Sequence, residues 1–416
     1  MANVPVASAA PAATERPRPH PDRGRPLSGV RVLDLTRMVA GGTAGMLLAD
    51  FGADVVKVEQ PGTGDPLRQW TAEGQPLWWQ VYGRNKRFVT LNLKHPEGRD
   101  LLCQLVPQFD IVMESFVPGT LERFGLGWDV LQKLHAGLIL VRISGWGQTG
   151  PSSELPGFGT LIEAASGFAA MNGEPGGPPL VPGFPLADMS AALYATNAIM
   201  FALYHRDVHG APGQCIDVSL FESLFSLLGP LAAEYAALGR VRLRDGSRSK
   251  NTGPRGCFRT RDDRWIAVSG STPKMAERFL RAYGLESLLA DPRFANNEAR
   301  VRHAALLDAA IGGAIASRTF DENIAIIREH KLTAVPVQTV ADIQQDPHWQ
   351  SRGLITTAPG PRGDVPMHAV IPRLSETPGR VDWAGGTLGQ HNRQVYGEEL
   401  GLSAGEIERL QADGVI

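Results

Sequence analysis

Cysteine is scarce in this chain of 416 residues, which contains three. Cys103, Cys215 and Cys257 lie far apart, form no CxxC pair and have no metal-ligand spacing. Neither a disulfide framework nor a zinc cluster is therefore predicted, and the pattern is typical of a protein from a reducing compartment. We predict a cytoplasmic location.

Net charge and long apolar runs are also lacking. The 41 Lys and Arg residues nearly balance the 43 Asp and Glu residues, so the formal net charge is −2. A chain so close to neutral has no basic footprint for nucleic acid or for an anionic membrane. No uninterrupted apolar run is long enough to span a bilayer. We therefore predict neither nucleic acid nor a membrane as a partner.

Three common motifs are absent as well. The turn after the first predicted strand, residues 38–45, does not follow the GxGxxG pattern of nicotinamide-binding proteins. His205 and His209 have helical spacing but no third metal ligand nearby, so no metal site is predicted. Ser144 does not lie in a GxSxG elbow, which argues against a serine hydrolase.

The pattern that is present is that of an α/β protein. Short Val- and Leu-rich strands alternate with helices over the first 150 residues, which is typical of βαβ units. The predicted strands span residues 30–35, 54–59, 110–114 and 139–144, and the helices between them span 43–51, 96–107 and 121–134. The sequence therefore predicts a large domain with a Rossmann-like parallel sheet.

A later region has a different texture. A strand at 265–269 followed by helical stretches near 274–283, 298–316 and 321–330 indicates a smaller α+β domain. The first residues are rich in Pro, Ala and Arg and have no apolar signal region, so they are predicted to be a disordered tail. The predicted division is a tail at 1–26, the large domain at 27–220, the small domain at 221–335, and a return segment at 336–416 that completes the large domain.

Asp188 is the most informative single residue. It follows the Gly/Pro-rich run 173–179 and precedes a long apolar segment, residues 189–204. A carboxylate at the start of a helix meets backbone N–H groups and the helix dipole, which favour its ionised form. Two interpretations fit this position: an N-cap of the helix, or a nucleophilic carboxylate that takes an acyl group from a thioester. The local pattern favours the cap.

The rest of the chain favours the nucleophile. A set of short motifs is spread over residues 27–416, namely 33–36 (LDLT), 53–59 (ADVVKVE), 83–87 (GRNKR), 114–119 (ESFVPG), 143–151 (ISGWGQTGP), 173–188, 291–294 (DPRF) and 388–391 (LGQH). In this order and spacing they resemble the class III CoA-transferases, the family of formyl-CoA transferase and carnitine CoA-transferase.

The resemblance implies a reaction and an assembly. CoA passes from an acyl-CoA donor to a free carboxylic acid, and the family's essential aspartate corresponds to Asp188. Its attack on the thioester leads to a mixed aspartyl anhydride and then to an aspartyl-CoA thioester. The CoA thioester is a substrate, and no tightly bound cofactor is expected. The family forms interlocked homodimers, with CoA between the large domain of one chain and the small domain of the other.

The resemblance also nominates binding residues. The candidates for contact with CoA are Arg84, Lys86, Arg87, Arg123 and Trp146, and those for the substrate side are Arg37, Val39, Arg68 and Trp70. Val39 replaces a glutamine of formyl-CoA transferase, and residues 245–256 lack the glycine run of its lid, so formyl-CoA and oxalate are not expected. Spare arginines suit a second carboxylate, which favours a small dicarboxylate as acceptor and succinyl-CoA as a possible donor.

Two alternatives stay open. The α-methylacyl-CoA racemases share the fold but use a His–Asp pair, and this chain has no histidine between His135 and His205. A two-base proton shuttle therefore lacks one partner. A CoA-binding scaffold without chemistry would keep the phosphate-binding arginines and would not need Asp188.

Overall fold

The Val- and Leu-rich runs of the first half form a six-stranded parallel sheet. The structure is a computed structural model and describes residues 24–416. The strands are β1 (Arg31–Asp34), β2 (Asp54–Glu59), β3 (Arg87–Thr90), β4 (Ile111–Glu114), β5 (Ile139–Ser144) and β6 (Cys215–Ser219). Their order, β3-β2-β1-β4-β5-β6, is that of the Rossmann fold. The four predicted strands are confirmed, whereas β3 and β6 were not predicted.

Helices make up most of the remaining regular structure. In chain order over the described residues they are α1 (Ala40–Asp50), α2 (Leu77–Tyr82), α3 (Pro96–Leu105), α4 (Thr120–Arg123), α5 (Trp128–Leu134), α6 (Gly159–Ala165), α7 (Phe168–Met171), α8 (Leu186–His209), α9 (Leu220–Leu227), α10 (Leu231–Leu238), α11 (Pro273–Ala282), α12 (Asn297–Arg302), α13 (Ala304–Ala316), α14 (Phe320–Glu329), α15 (Val340–Gln345), α16 (Pro347–Ser351) and α17 (Ala404–Ala412). Short 3-10 turns lie at Pro66–Gln69, Val106–Gln108, Glu286–Leu289 and Pro292–Phe294, and a π-helix at Arg393–Glu399.

Two compact units divide the chain. The first contains the parallel sheet and comprises residues up to 163, 183–227 and 355–416, including a hairpin of β10 (Ile355–Gly360) and β11 (Gly363–His368). The second comprises residues 164–182 and 228–354. It has an antiparallel sheet of β7 (Arg255–Arg259), β8 (Trp265–Ser269) and β9 (Ala334–Pro336). The predicted small domain at 221–335 corresponds to the second unit, which also includes residues 164–182 and 336–354 and begins its main segment at 228. The return segment, predicted at 336–416, begins at 355.

The main core lies in the first unit and continues to the end of the chain. All residues of β1, β2, β4 and β5 are buried, as expected for parallel strands that are covered on both faces. Tyr396, Leu410 and Val415 pack into the same apolar cluster as Leu33 and Val112. The last sixty or so residues therefore complete the first unit, because they supply part of its core.

The predicted tail, residues 1–26, lies almost wholly outside the described residues. The described part begins before Leu27. Arg25 is buried and forms an ion pair of 3.2 Å with Asp382. The ordered chain therefore includes residues that were expected to be disordered.

The long helix α8 is apolar enough, by length and composition alone, to cross a membrane, which the search for uninterrupted apolar runs had not identified. One of its faces is buried against α1, α9 and the strands β5 and β6. That face is made of small residues, including Ala191, Ala195 and Ala202, which allow close approach of the neighbouring elements. A helix from a protein core meets the same criteria of length and composition.

Candidate active site

The carboxyl edge of the parallel sheet is where α/β folds of this order bind ligands. Here β1 leads through a short loop, residues 35–39, into α1. Ala40 begins α1, and its backbone N–H group is one of the free donors that every helix has at its first turn. This N–H donates a hydrogen bond to the carboxylate of Asp188. The aspartate that the sequence singled out therefore meets the carboxyl edge of the sheet.

Asp188 is not the N-cap of its helix. The helix begins at Leu186, Pro185 is the N-cap residue, and Asp188 lies third in the first turn. Its carboxylate is half-buried and also accepts a hydrogen bond from its own backbone N–H. The interpretation as a cap is therefore wrong, because the helix starts three residues earlier than a cap at Asp188 would place it.

A third helix start also touches this carboxylate. α6 begins at Gly159, and a Cβ atom added to Gly159 would lie 2.1 Å from Oδ2 of Asp188. No side chain fits in that space, so the helix backbone can approach the carboxylate only because the residue is glycine. The first turns of α1, α6 and α8 thus converge on Asp188, and each contributes a positive dipole end.

These helix ends do not make Asp188 an unusually strong acid. Burial, together with the charge of Glu163, raises the pKa of Asp188 to about 6, although the two backbone donors act in the opposite direction. The expectation that the ionised form would be favoured is therefore corrected. Removal from water and a neighbouring carboxylate outweigh the helix ends. At neutral pH the group is ionised for the most part, and it is more basic than an ordinary aspartate.

Glu163 is the site residue that sequence reasoning missed. It lies on α6, its side chain is 1% exposed, and its carboxylate accepts a hydrogen bond of 3.2 Å from the backbone N–H of Ala187. It therefore fixes the residue immediately before Asp188 and also acts on the charge of Asp188. The available signal was a single carboxylate in a run of small and apolar residues, Thr160 to Ala170.

A cavity of about 410 Å³ opens at the carboxyl edge near this loop. Its lining comes from the segments that follow β1, β2, β3 and β4, with Thr36, Gln60, Leu91 and Phe116 as examples. Such a cavity at the point where the strand order reverses is the usual ligand site of this fold.

Cations lie at this cavity. Arg37 and Lys94 line it, and both are exposed. Arg123 is exposed on α4 and donates a hydrogen bond of 2.7 Å to the hydroxyl of Thr120, which also lines the cavity. The positions of Arg37, a substrate-side candidate, and Arg123, a CoA candidate, suit an anionic ligand, and their roles stay predictions. Lys94, which closely follows β3, was not predicted.

Comparisons with known proteins agree with this geometry. The family model of CoA-transferase family III matches residues 27–392. The chain belongs to CoA-transferase family III. The succinyl-CoA–D-citramalate CoA-transferase of Chloroflexus aurantiacus is 41% identical over 396 residues, which cover 94% of this chain and 98% of that protein. The succinate–glutarate CoA-transferase of Agrobacterium fabrum is 33% identical over 91% of this chain and 96% of that protein.

Solved structures of the family share the fold. A CaiB/BaiF family protein from Brucella suis has a TM-score of 0.80 at 32% identity, and the match covers 91% of this chain and 100% of that chain. A protein from Mycobacterium tuberculosis has a TM-score of 0.79 at 29% identity, over 88% and 98% of the two chains. This chain is therefore a CoA-transferase with the α/β architecture of its family.

Three of the predicted CoA ligands have another role in this transferase. Arg84 is fully buried and pairs with Asp50 at 2.7 Å, and Lys86 is buried and pairs with Asp34 at 3.0 Å. Arg87 pairs with a buried carboxylate, that of Asp54, at 2.6 Å. The prediction that these residues bind phosphate is corrected. Each cation already neutralises a carboxylate inside the protein, and withdrawing it would leave that charge unpaired.

The substrate-side candidates of this CoA-transferase separate in the same way. Arg68 makes two hydrogen bonds to Glu59, at 2.7 and 2.8 Å, and its guanidinium stacks 3.8 Å above the ring of Trp79. It is therefore structural and is not a spare partner for a second carboxylate. Val39 is 2% exposed and packs in one cluster with Trp79 and Met189. Val39 precedes Ala40 in the chain, and Met189 follows Asp188. Trp70 is 42% exposed and meets Trp78 edge-on at 5.5 Å.

Trp146 lies on a loop that packs against the approach to α6. Its indole N–H donates to the carbonyl of Pro156 at 3.0 Å, and its ring lies 5.8 Å from that of Phe221. Gly145 and Gly157 are in close backbone contact, since a Cβ on Gly145 would lie 2.3 Å from the Cα of Gly157. The Trp146 loop therefore packs against the segment that precedes Gly159, and so supports the contact between Gly159 and Asp188.

No metal site is found within residues 24–416, where no group of three or more His, Cys, Asp or Glu side chains is placed to hold an ion. His205 and His209 lie with their ring centres 5.8 Å apart on α8, and both rings are exposed.

Proposed function

We propose that the transferase moves CoA from succinyl-CoA to a small dicarboxylic acid, with Asp188 as the nucleophile. The observation that carries this proposal is the Asp188 carboxylate itself, which lies among three helix starts with a pKa raised to about 6. An aspartate of raised basicity, held by backbone donors in a partly dry site, suits attack on a thioester.

The first half of the reaction conserves the energy of the thioester. One Asp188 oxygen attacks the thioester carbonyl carbon, the C–S bond breaks, and CoA leaves as a thiolate. The product is a mixed anhydride between Asp188 and the donor acid. The thiolate then attacks the Asp188 carbonyl carbon, the donor carboxylate leaves, and Asp188 becomes a CoA thioester.

The second half repeats these steps with the acceptor. Its carboxylate attacks the Asp188 thioester, CoA thiolate leaves, and a second anhydride forms. The thiolate attacks the acceptor carbonyl carbon of that anhydride, the acceptor leaves as its CoA thioester, and the Asp188 carboxylate is restored. No ATP and no net proton transfer are needed.

Two features of the site favour these steps. Ala40 and Asp188 supply backbone N–H groups where negative charge develops on a carbonyl oxygen, which stabilises the transition state. Glu163 repels the ionised Asp188, and acylation turns Asp188 into a neutral group. Covalent modification therefore relieves a repulsion that is present in the free enzyme.

The cavity at the carboxyl edge is our candidate for the phosphate end of CoA. Arg37, Lys94 and Arg123 are exposed cations at or beside it, and CoA carries several phosphate charges. We assign Arg37 to CoA and not to the acceptor, because it lines the same cavity as Lys94.

The acceptor class rests on two kinds of support. The names of the two relatives given above specify citramalate and glutarate as acids. Another relative from Chloroflexus aurantiacus, 38% identical, is named for succinyl-CoA and L-malate. Met189, which follows Asp188 in the chain, is partly buried and packs against Val39 and Trp79, and an apolar side chain there suits the methylene or methyl part of such acids.

We also infer that two copies of the chain associate. The outward face of α8 carries large apolar side chains that are exposed in the single chain, namely Leu193, Tyr194, Phe201, Tyr204 and Val208. Exposed apolar surface of this kind is typical of subunit contacts. Light scattering after size exclusion should give the mass of a dimer, and a stable monomer would contradict this inference.

The experiment that tests the proposal detects the covalent intermediate. The enzyme is incubated with succinyl-CoA, trapped with hydroxylamine or borohydride, digested, and read by mass spectrometry together with a panel of free acids. We expect modification of Asp188 and CoA transfer to C4–C5 dicarboxylates. Asp188→Asn should lose both the covalent adduct and CoA transfer. Its matched control is Asp207→Asn, which changes an exposed carboxylate on the same helix and should retain the adduct and the transfer.

The remaining alternatives give different results in the same assay. A racemase would exchange the α-proton of a branched acyl-CoA in deuterated water and would transfer no CoA. A scaffold would bind CoA and form no adduct. Either result, with Asp188 unmodified, would refute the proposed transferase mechanism.

A further inference from the structure

The loop of residues 35–39 connects the cavity with the reactive carboxylate. Arg37 lines the cavity, and Ala40, at the end of the loop, donates its N–H to Asp188. The conformation of the loop therefore decides the direction of a hydrogen bond to the nucleophile.

This loop contains an unfavourable backbone conformation. Met38 has φ of 62°, in the left-handed region that residues with a side chain seldom adopt. The conformation costs about 1–2 kcal/mol for an L residue other than glycine. It persists only where surrounding groups hold it.

A buried carboxylate holds it. Asp65 is 3% exposed, and its carboxylate accepts the Met38 N–H at 3.1 Å through Oδ1 and at 3.3 Å through Oδ2. It also accepts the N–H of Leu67 at 2.9 Å, and its own N–H donates to Glu59 at 2.9 Å. Contacts outside the loop therefore fix the position of the Asp65 carboxylate, which in turn holds Met38.

A buried lysine holds the other side of the loop. Nζ of Lys57 lies 3.1 Å from Oδ2 of Asp65 and donates a short hydrogen bond to the carbonyl of Thr36. Lys57 is 2% exposed, and Asp34 lies 3.7 Å from the same nitrogen. The Asp65–Lys57 pair thus binds the loop at Thr36 and at Met38, on either side of Arg37.

An ion pair in this place is a poor way to gain stability. Two buried charges add little or nothing compared with well-packed apolar residues. Charge-assisted hydrogen bonds to backbone groups, however, fix geometry closely. The pair therefore has a more direct effect on the shape of the loop than on the stability of the fold.

We propose that Asp65 and Lys57 are positioning residues of the transferase, which hold the loop so that the Ala40 N–H points at the Asp188 carboxylate. This inference rests on the proposed role of Asp188. Without Asp65, Met38 would relax to an ordinary conformation and Ala40 would turn away. Asp188 would then lose a donor, while Glu163 on α6 would continue to repel it.

The primary test is Asp65→Asn, which keeps an oxygen for the Met38 N–H but loses the charge that fixes Lys57. We expect kcat to fall by about 10- to 100-fold, since small misplacements of reacting groups have effects of this size. KM for succinyl-CoA should rise by no more than about threefold, because Arg37 moves with the loop whereas Lys94 and Arg123 lie outside it. The acidic midpoint of kcat/KM should move upward from about 6.

The matched control is Asp54→Asn. Asp54 is a buried, ion-paired carboxylate on the same strand as Lys57, but at the amino end of β2. We expect Asp54→Asn to lower Tm, as Asp65→Asn should. Its kcat should stay within about twofold of that of the unmodified enzyme, and the midpoint of its pH profile should stay within about 0.2 unit. A purely structural Asp65 would behave like this control, and that result would overturn the proposal.

Two further variants keep the test decisive. Asp65→Glu preserves the charge, so it carries the same test if Asp65→Asn does not fold, and its longer side chain should still shift kcat and the midpoint. Adding Met38→Gly to either variant should recover part of the lost kcat, because glycine adopts positive φ without cost. No recovery would contradict the proposal. Turnover by Asp188→Asn would instead refute the proposed nucleophile, whatever Asp65 does.

Discussion

The pKa of a buried carboxylate is shifted in opposite directions at the two edges of the parallel sheet. At the amino edge, burial alone would raise the pKa of Asp54, but Arg87 and Arg31 outweigh burial and hold it below its ordinary value. At the carboxyl edge, burial and Glu163 raise the pKa of Asp188 to about 6. The groups that act on Asp188 include no cation. The carboxylate with the raised pKa is the proposed nucleophile, whereas Asp54 belongs to a buried network of ion pairs.

The largest effect is expected at Asp188. Asp188→Asn should lower turnover by roughly 10⁴-fold or more, as for loss of a covalent nucleophile. The folded-state pKa lies above the ordinary value, so the carboxylate costs stability that grows as pH rises from about 4 to about 6. The variant should therefore be more stable at pH 8 by about 2 kcal/mol. A less stable variant in chemical denaturation would show that Asp188 is structural after all.

The next effect separates two arginines. Arg84→Ala leaves Asp50 buried and unpaired, so the free energy of unfolding should fall by about 3–5 kcal/mol, with KM for succinyl-CoA unchanged in the folded enzyme. Arg123 is exposed, so Arg123→Ala should change the free energy of unfolding by less than about 0.5 kcal/mol. It should raise KM several-fold. If the two variants exchanged these effects, the corrected assignment of the CoA ligands would be wrong.

A smaller effect is expected from crowding the nucleophile. Gly159→Ala would place a methyl group 2.1 Å from Oδ2 of Asp188, so the carboxylate must move. We expect kcat to fall by about 100-fold, because displacement of a reacting group by an ångström has that effect. Gly42→Ala is the control, since a Cβ there meets no atom within 4 Å. Equal kcat values for both variants would show that the approach of α6 to Asp188 does not matter.

The smallest effect concerns Glu163. Glu163→Gln keeps an oxygen for the Ala187 N–H but removes the charge that helps to raise the pKa of Asp188. Activity that depends on ionised Asp188 rises with pH, with a midpoint near 6, and in this variant the midpoint should fall by up to about one unit. A midpoint that stays in place would mean that burial alone sets the pKa. The pH profile of kcat/KM measures this directly.

Part of the fold was predictable because its signals are local. The runs at 30–35, 54–59, 110–114 and 139–144 are short and rich in Val, Leu and Ile, which is typical of buried parallel strands. β3, which contains Arg87 and Thr90, and β6, which contains Asp217, carry polar residues and show no such run. They are strands because the sheet beside them supplies hydrogen bonds.

The site was predictable to a similar degree. Asp188 was nominated from its place before a long apolar segment and from the resemblance, and Arg37 and Trp146 from the resemblance alone. Their functional roles stay predictions. Motifs could not tell Arg84 from Arg123, since both lie in or just after a glycine-containing motif and both suit phosphate. The difference lies in burial and in the carboxylate of Asp50, which is 34 residues away in the chain. Glu163 escaped notice for the same reason, because its effect depends on Ala187 and Asp188 lying beside it.

By itself, the sequence determined the periodicities that build the sheet and its helices, and the position of an aspartate at the start of α8, because those depend on residues close together in the chain. Only the tertiary structure decided which charges face water and which face each other. It also decided that Asp188 is buried beside Glu163 at the point where three helix starts meet, and that burial and the charge of Glu163 raise its basicity. These outcomes depend on distances between residues far apart in sequence, and electrostatic energies follow distance and solvent access.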